Sequence, residues 1–318
     1  MRSARDLALA LDLGGTKVEA ALVDSSGTVL AGTRFRAPTG ADRDSAGLAA
    51  AVDEVVRAAS ASRPAGSELI GAGIGSAGPI EEATGRVSPL NLPAWRDYPL
   101  RDQVVELLQG VPVTLRMDGI CITLAEHWVG AGRGYDNLMG MIVSTGIGGG
   151  LILEGNTVSG PTGNAGHIGH VEVAGFTDPC PCGGFGCVEA VASGPRTVAW
   201  ARSQGWTGPS GAGSTGEELG LSYRAGDPIA IAAIERSGRA IGQAIASATS
   251  LVDLELVAIG GGFSHVTADL FDQIRAAVAT RRQFGFVTKV TVVPSALSSD
   301  GPLIGAAALV HRAELLGG

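Results

Sequence analysis

No stretch of about 18 apolar residues occurs in this sequence, so no membrane-spanning helix is expected. No secretory leader is expected either. The start, MRSARDLALALDLGG, has a basic tip, but its apolar run is short and leads into glycines. Positive charge is in deficit: 23 basic residues face 31 acidic ones, a net charge of -8. That balance repels nucleic-acid phosphates and anionic membranes, and neither is an expected partner. Charged residues are only 17% against 45% hydrophobic, which excludes global disorder and supplies core enough for two domains in 318 residues. Cysteine is scarce. Of the four, three fall between 180 and 187, a clustering that points to metal ligation in a reducing, cytoplasmic setting rather than to a disulfide framework. The P-loop pattern GxxxxGK[ST] is absent, and the first glycine loop is not a GxGxxG fingerprint.

Glycine is plentiful instead, with 49 residues, roughly twice the usual share. Residues 7–13 (LALALDL) predict a strand ending at GGTK, and 18–23 and 28–36 predict further strands around a turn at Ser25-Ser26-Gly27. Helices are predicted over 43–61, 99–109, 195–203, 227–251, 265–283 and 301–316, and strands over 69–75, 112–117, 138–144, 150–154, 254–259 and 288–293. From Asp118, Ile122, Ala125, Trp128 and Val129 recur at helical spacing; residues 205–216 read as a flexible loop.

A strand ending in a glycine loop occurs three times: DLGGTK at 12–17, STGIGGG at 144–150 and AIGGGF at 258–263. No short fixed period relates them, which excludes a solenoid. Gly14 and Gly15 let backbone amides face a phosphate; Thr16 adds a hydroxyl, Lys17 a cation, and Asp12 can hold the hydration shell of a Mg²⁺ ion on ATP. A plain hairpin turn explains Gly-Gly equally well. Thr145, Gly146 and Gly148 suit the terminal phosphates or a tight turn. Gly261 and Gly262, before the predicted helix, suit adenosine or a helix start. Asp118 sits at a strand-to-helix junction, where an aspartate serves either as helix cap or as general base toward an attacking hydroxyl. His170, Cys180, Cys182 and Cys187 (H-x9-C-x-C-x4-C) supply one imidazole and three thiolates, a closed tetrahedral set for a structural Zn²⁺. Cys121 reads as a core thiol.

These motifs resemble the ROK family (repressors, open reading frames and kinases), and within it the zinc-containing, bacterial glucokinase-like sugar kinases. The matching segments are LDLGGTKVEAALVD (11–24), GIGSAGPI (73–80), LNLPAW (90–95), Asp118 with AEHWVGAGRG (125–134), STGIGGGLILEG (144–155), GNAGHIGHVEV (163–173), CPCGGFGCVEAVASG (180–194) and AIGGG (258–262). The resemblance implies an α/β chain with two actin/hexokinase-like (ribonuclease H-like) lobes and a site in the cleft between them. The small lobe is expected over 1–118 plus 301–318 and the large one over 119–300. It implies ATP-dependent phosphorylation of a hexose-type sugar at its 6-hydroxyl, with Asp118 as base, Asn91, His170 and Glu189 at the sugar, and a homodimer or homotetramer.

Two positions depart from the family pattern. Met117 stands where an Asn usually precedes the catalytic Asp, and His167 replaces the Glu of G-E-x-G-H. Each removes a group that reads sugar hydroxyls, and an unpaired buried hydroxyl costs roughly 1–3 kcal/mol. A sugar altered at one or more ring positions is therefore the alternative to glucose: an N-acetylhexosamine such as N-acetylglucosamine or N-acetylmannosamine, or another modified sugar such as a deoxy sugar, with Met117 against its apolar or acetyl group. A non-catalytic sugar sensor is the reading from another class. The family's repressors carry a helix-turn-helix ahead of the first loop, for which the residues before Asp12 leave no room.

Overall fold

The computed structural model describes residues 6–297 and 299–317; residues 1–5, with the basic tip, and residues 298 and 318, both within the expected lobes, lie outside the described residues. The chain divides into two compact units, Met1–Gly134 with Gly150–Gly166 and Ala296–Gly318, and Tyr135–Gly149 with His167–Ser295. This partition gives residues 119–134 and 150–166 to the first unit, where the expected lobes placed them in the second. Close packing explains it: a Cβ on Gly150 would stand 2.4 Å from the Gly119 carbonyl oxygen.

In chain order the first unit opens with β1 (Asp6–Leu13), β2 (Lys17–Val23), β3 (Phe35–Pro38), α1 (Ser45–Ala61), β4 (Glu68–Ser76), the short hairpin β5 (Ile80–Glu81) and β6 (Arg86–Val87), α2 (Leu100–Leu108), β7 (Val113–Met117) and α3 (Asp118–Val129). β8 (Leu138–Val143) follows. β9 (Ile147–Leu153) runs back into the first unit and is followed there by β10 (Asn156–Thr157). The second unit continues with α4 (Val188–Ala192), α5 (Gly194–Ser203), α6 (Gly216–Arg224), α7 (Pro228–Val252), β11 (Leu256–Gly260), α8 (Asp269–Ala279) and β12 (Thr291–Pro294); α9 (Gly301–His311) closes the first unit.

The first sheet has the order β3-β2-β1-β4-β7, antiparallel at the β1–β2–β3 side and parallel across β1, β4 and β7. Period-two alternation along β1 sends Leu7, Leu9, Leu11 and Leu13 into one core with Val52, Val55 and Val56 of α1, and Ala8 and Ala10 toward Leu303, Ala306 and Ala307 of α9. Small residues on that second face let α9 lie flush on the sheet. The second sheet has the order β10-β9-β8-β11-β12, with β11 parallel to both β8 and β12. No helix among the described residues is long and apolar enough to cross a membrane.

Several expected elements are shorter than the sequence suggested. The strand over 28–36 is confined to Phe35–Pro38, because Asp24 Oδ1 accepts the Ser26 and Thr28 amides and curls the chain into a turn. The helix over 265–283 is a 3-10 turn at Gly262–His265 followed by α8, so no helix starts directly at the third glycine loop. Within 205–216, a 3-10 turn occupies Gly211–Gly213. α6 was not expected at all, although its capping box was written in the sequence: the Thr215 side chain accepts the Glu218 amide, and Glu218 returns to the Thr215 amide.

One polar side chain is buried in β2. Glu19 is 2% exposed and is held by Lys17, by Arg34 Nε at 3.1 Å and by Arg36 at 2.7 Å. Burial pulls its carboxyl upward, but hydrogen bonds from the three cations prevail and hold it at about 2. A depressed carboxyl contributes stability above its unfolded value of 4.5, which is lost as pH falls toward 2. Glu19→Gln is therefore expected to lower stability at pH 7 by about 2–3 kcal/mol. In urea unfolding the gap to wild type should shrink as pH falls from 4.5 to 3; a gap constant with pH would remove the carboxylate charge from this account.

Candidate active site

In the first unit the register sets the site. Asp12 of β1 lies beside Gly75 of β4, and Gly75 beside Arg116 of β7, so Asp12 and Asp118 leave the sheet at the carboxyl ends of parallel strands that flank β4. Ligands of α/β sheets sit outside such strand ends. The turn after β1 is closed by Gly14 N–H donating to the Lys17 carbonyl at 3.0 Å, and Thr39 Oγ1 donates to the Gly14 carbonyl at 2.8 Å. Thr16 is exposed at its tip. Gly15 is required by what lies over it: a Cβ there would stand 2.5 Å from Asn91 Nδ2. The turn and Asn91 are thus brought together. The Asn91 segment is held by the stacked Trp95 and Tyr98 rings, 3.9 Å apart, and by Arg96 Nη1 donating to the Pro89 carbonyl.

Asp118 is the first residue of α3; the cap position belongs to Met117, and Asp118 Oδ1 accepts the Gly119 amide at 2.7 Å. Burial first, and then the charge of Asp118, push Asp12 up to about 7. Two carboxylates that raise each other's cost of ionisation are a fitting donor set for a hydrated divalent cation. The Lys17 ammonium pairs with Glu19. One expectation is corrected here. Met117 is 2% exposed because strand alternation turns it, with Leu115, into the core, so its thioether does not face solvent. Cys121 is buried as expected, and burial raises its thiol.

In the second unit, the segment 144–150 is a hairpin. Gly148 and Gly150 lie within β9, and the turn proper is Ser144–Gly146, closed by Ser144 N–H donating to the Gly146 carbonyl at 2.9 Å. Glu189 Oε2 accepts the Ile147 amide at 2.8 Å, and Gly146 has no room for a side chain, since a Cβ would stand 2.6 Å from that oxygen. Gly261 adopts φ +97 against the Val143 backbone, where a Cβ would approach to 2.6 Å. The ends of β8 and β11 thereby open together into a cavity of about 730 Å³ that contains Thr145 and Gly262. Ser144, Phe263 and Glu217 also line it and escaped the sequence reading; Glu217 lies on the missed helix α6.

His170, Cys180, Cys182 and Cys187 converge, with donor atoms all within 4.8 Å of one another. Cys182 and Cys187 sulfurs are 3.6 Å apart, as are Cys180 Sγ and His170 Nδ1. Zn–S bonds of about 2.3 Å give a tetrahedral edge of about 3.8 Å, so the set fits zinc. Burial, then the neighbouring thiols Cys180 and Cys182, push Cys187 up to about 12, the cost a bound cation would relieve. The His167 ring stacks on His170, with centroids 5.9 Å apart.

The model of the ROK family matches residues 8–313. The chain is 32% identical to a glucokinase of Thermotoga maritima over 98% of both chains. It is 35% identical to an N-acetylmannosamine kinase of Yersinia pseudotuberculosis over 96% of this chain and 99% of that one. Among solved structures it resembles a ROK glucokinase of Streptomyces griseus in complex with glucose and AMPPNP, with a TM-score of 0.79 and 29% identity over 96% and 99% of the two chains. The fold is actin/hexokinase-like, as the motifs implied.

Asp12 also has a stability consequence. A carboxyl raised from 3.8 to about 7 keeps its proton in the folded chain while the unfolded chain releases it, so stability falls as pH rises through that window. Asp12→Asn is expected to be more stable than wild type at pH 8 by about 2–4 kcal/mol, with the gap closing by pH 4. Thermal unfolding across this range tests it; a variant no more stable than wild type at pH 8 refutes the buried-charge account.

Proposed function

The chain belongs to the ROK family, and on that premise we propose that it phosphorylates a hexose-type sugar at the 6-hydroxyl, with Asp118 as general base and ATP as donor. The observation that carries this reading is the placement of Asp118 and Asp12 at the ends of parallel strands, beside the Gly14–Gly15 turn and Asn91. In the proposed step the Asp118 carboxylate takes the proton of the 6-hydroxyl. The sugar oxygen forms a bond to the γ-phosphorus as the bond to the ADP oxygen breaks, and that electron pair leaves with ADP. The Gly14 amide closes the first turn on Lys17, and backbone amides at Gly15 and Gly146 and the Thr16 and Thr145 hydroxyls orient the phosphates. The second-unit cavity takes the nucleoside against Gly261, Gly262 and Phe263. Asp12 would hold the shell of a Mg²⁺ ion, which when bound offsets phosphate charge. Asn91, His167, His170 and Glu189 are the proposed sugar contacts; Met117, being in the core, is not among them. His170, Cys180, Cys182 and Cys187 would hold a structural zinc. A cytoplasmic homodimer or homotetramer completes the reading.

A second substrate, an N-acetylhexosamine, is favoured by one residue: His167 stands where a hydroxyl-reading Glu is the family pattern, and the chain is as similar to an N-acetylmannosamine kinase as to a glucokinase. Retention of Asp12 and Asp118 speaks against a non-catalytic sensor.

A coupled ADP-release assay across glucose, mannose, N-acetylglucosamine and N-acetylmannosamine tests both. Asp118→Asn is expected to lower kcat by about 10²–10⁴ on the best sugar with sugar binding kept. Turnover unaffected by this substitution would overturn the assignment of the base. A high kcat/KM on glucose with none on the N-acetyl sugars would exclude the second substrate.

A further inference from the structure

Glu189 does something besides face a sugar. Its Oε2 accepts the Ile147 amide at 2.8 Å, and so it touches the hairpin whose turn places Ser144 and Thr145 in the cavity. Glu189 is also two residues after Cys187, the residue that caps α4. Gly169, next to His170, presses on the same residue: a Cβ at 169 would stand 1.9 Å from the Ile147 carbonyl oxygen and 3.6 Å from Glu189 Cβ. The two clamping segments are tied to each other, since Val188 N–H donates to the Val171 carbonyl at 3.0 Å and Glu172 pairs with Cys187 as an isolated antiparallel bridge. A third hold is Gly194 N–H, which donates to the Ser144 carbonyl at 2.8 Å, after Ser193 N–H has closed α4 onto the Glu189 carbonyl. These three holds on Ser144–Ile147 from outside the hairpin come from chain lying one to seven residues from a metal-ligand position.

The segment that supplies them has little regular structure of its own. Between His167 and Ser193 there are only a three-residue 3-10 turn and the five-residue α4. Its four candidate ligand side chains touch one another in pairs, Cys182 with Cys187 and Cys180 with His170, on a loop held by a few backbone hydrogen bonds such as Cys180 N–H to the Gly184 carbonyl.

We propose that the metal cluster acts as the anchor of the second glycine turn, with Glu189 as the positioning residue that transmits its geometry to Ile147. A tetrahedral ion fixes Cys187 relative to His170. Cys187 fixes the start of α4, and α4 holds the Glu189 carboxylate under the hairpin amide. Oε2 is used for this purpose, which leaves Oε1 for the sugar. The inference rests on zinc occupying the cluster; it does not depend on which sugar or donor is used.

Hydrogen exchange of the zinc-loaded protein, read on peptides covering 144–149, tests it together with zinc content. Chelating the metal is expected to speed exchange there by about tenfold or more while α1 of the first unit keeps its protection. Glu189→Ala should do the same with zinc retained, and Glu189→Gln, whose amide oxygen still accepts a hydrogen bond, should restore much of the protection. ADP affinity measured without sugar should fall in Glu189→Ala and recover in Glu189→Gln. Zinc-loaded Glu189→Ala with wild-type exchange at 144–149 and only a raised sugar KM would overturn the proposal, and would leave Glu189 a sugar contact alone. If chelation unfolds the whole chain, the two zinc-loaded variants decide. Faster exchange in Glu189→Ala with unchanged ADP affinity upholds the anchor and refutes the assignment of the cavity to the nucleotide.

Discussion

The first unit depends on backbone packing against backbone. A Cβ on Gly73 would stand 1.8 Å from the Ala306 carbonyl oxygen, and one on Gly305 would stand 2.0 Å from the Cys121 carbonyl oxygen. At these two glycines α9 meets β4 on one side and α3 on the other, backbone to backbone. Distances this short are available only to glycine, and they fix where α3 starts. Since Asp118 is the first residue of α3, the separation of its carboxylate from Asp12 follows from two missing methyl groups some distance away in sequence. Replacement of either glycine by a larger residue would have to push α9 away from β4 or α3, and would disturb the packing that fixes where Asp118 begins α3.

Charge is arranged around that frame in two opposite ways. Glu19 is buried but satisfied by Lys17, Arg34 and Arg36, so it stays ionised and ties β2 to the segment before β3. Asp12, seven residues earlier in the chain, is surrounded by burial and a second carboxylate, so its ionised form is costly. Structural charges are matched within the protein; site charges are left to be matched by what binds. The same contrast holds at the thiols, where burial raises Cys187 and no neighbouring cation offsets it. At Asp12 the charges of Lys17 and Arg34 pull the carboxyl down but do not offset burial, Asp118 and Glu19, and a perturbation that internal partners leave uncompensated is the electrostatic mark of a binding site.

Much of this was legible from residue types. The short run LALALDL pointed to β1, and H-x9-C-x-C-x4-C to the converging His/Cys set, because both are local patterns with one economical explanation. What was not legible was long-range or hidden in turn chemistry. The Asx turn at Asp24 truncated a strand that hydropathy extended. The strand predicted from Gly150 begins three residues earlier and takes in Gly148, because glycine in a strand and glycine in a loop look alike until the partner is known. Met117 was read by analogy as a substrate contact, yet its parity with Leu115 along β7 already assigned it to the core face. α6 was missed although T-x-x-E at 215–218 announced it, since the preceding glycines dominated the reading.

Parity and capping thus carry as much information about the site as the motifs do, and they bear on the second unit in particular. The turn Ser144–Gly146 has little side-chain bulk of its own and cannot hold itself in place by burial. It is positioned from outside, by a carboxylate on its amide, a glycine against its carbonyl and a helix start on its first residue. A phosphate-binding turn needs bare backbone, and bare backbone offers no hydrophobic grip. Stiffness must then be imported from a neighbouring segment. In this chain that segment is poor in helix and strand and carries the His170, Cys180, Cys182 and Cys187 cluster that could hold a metal, and a cross-link there would supply the rigidity that a larger apolar core supplies elsewhere in the fold.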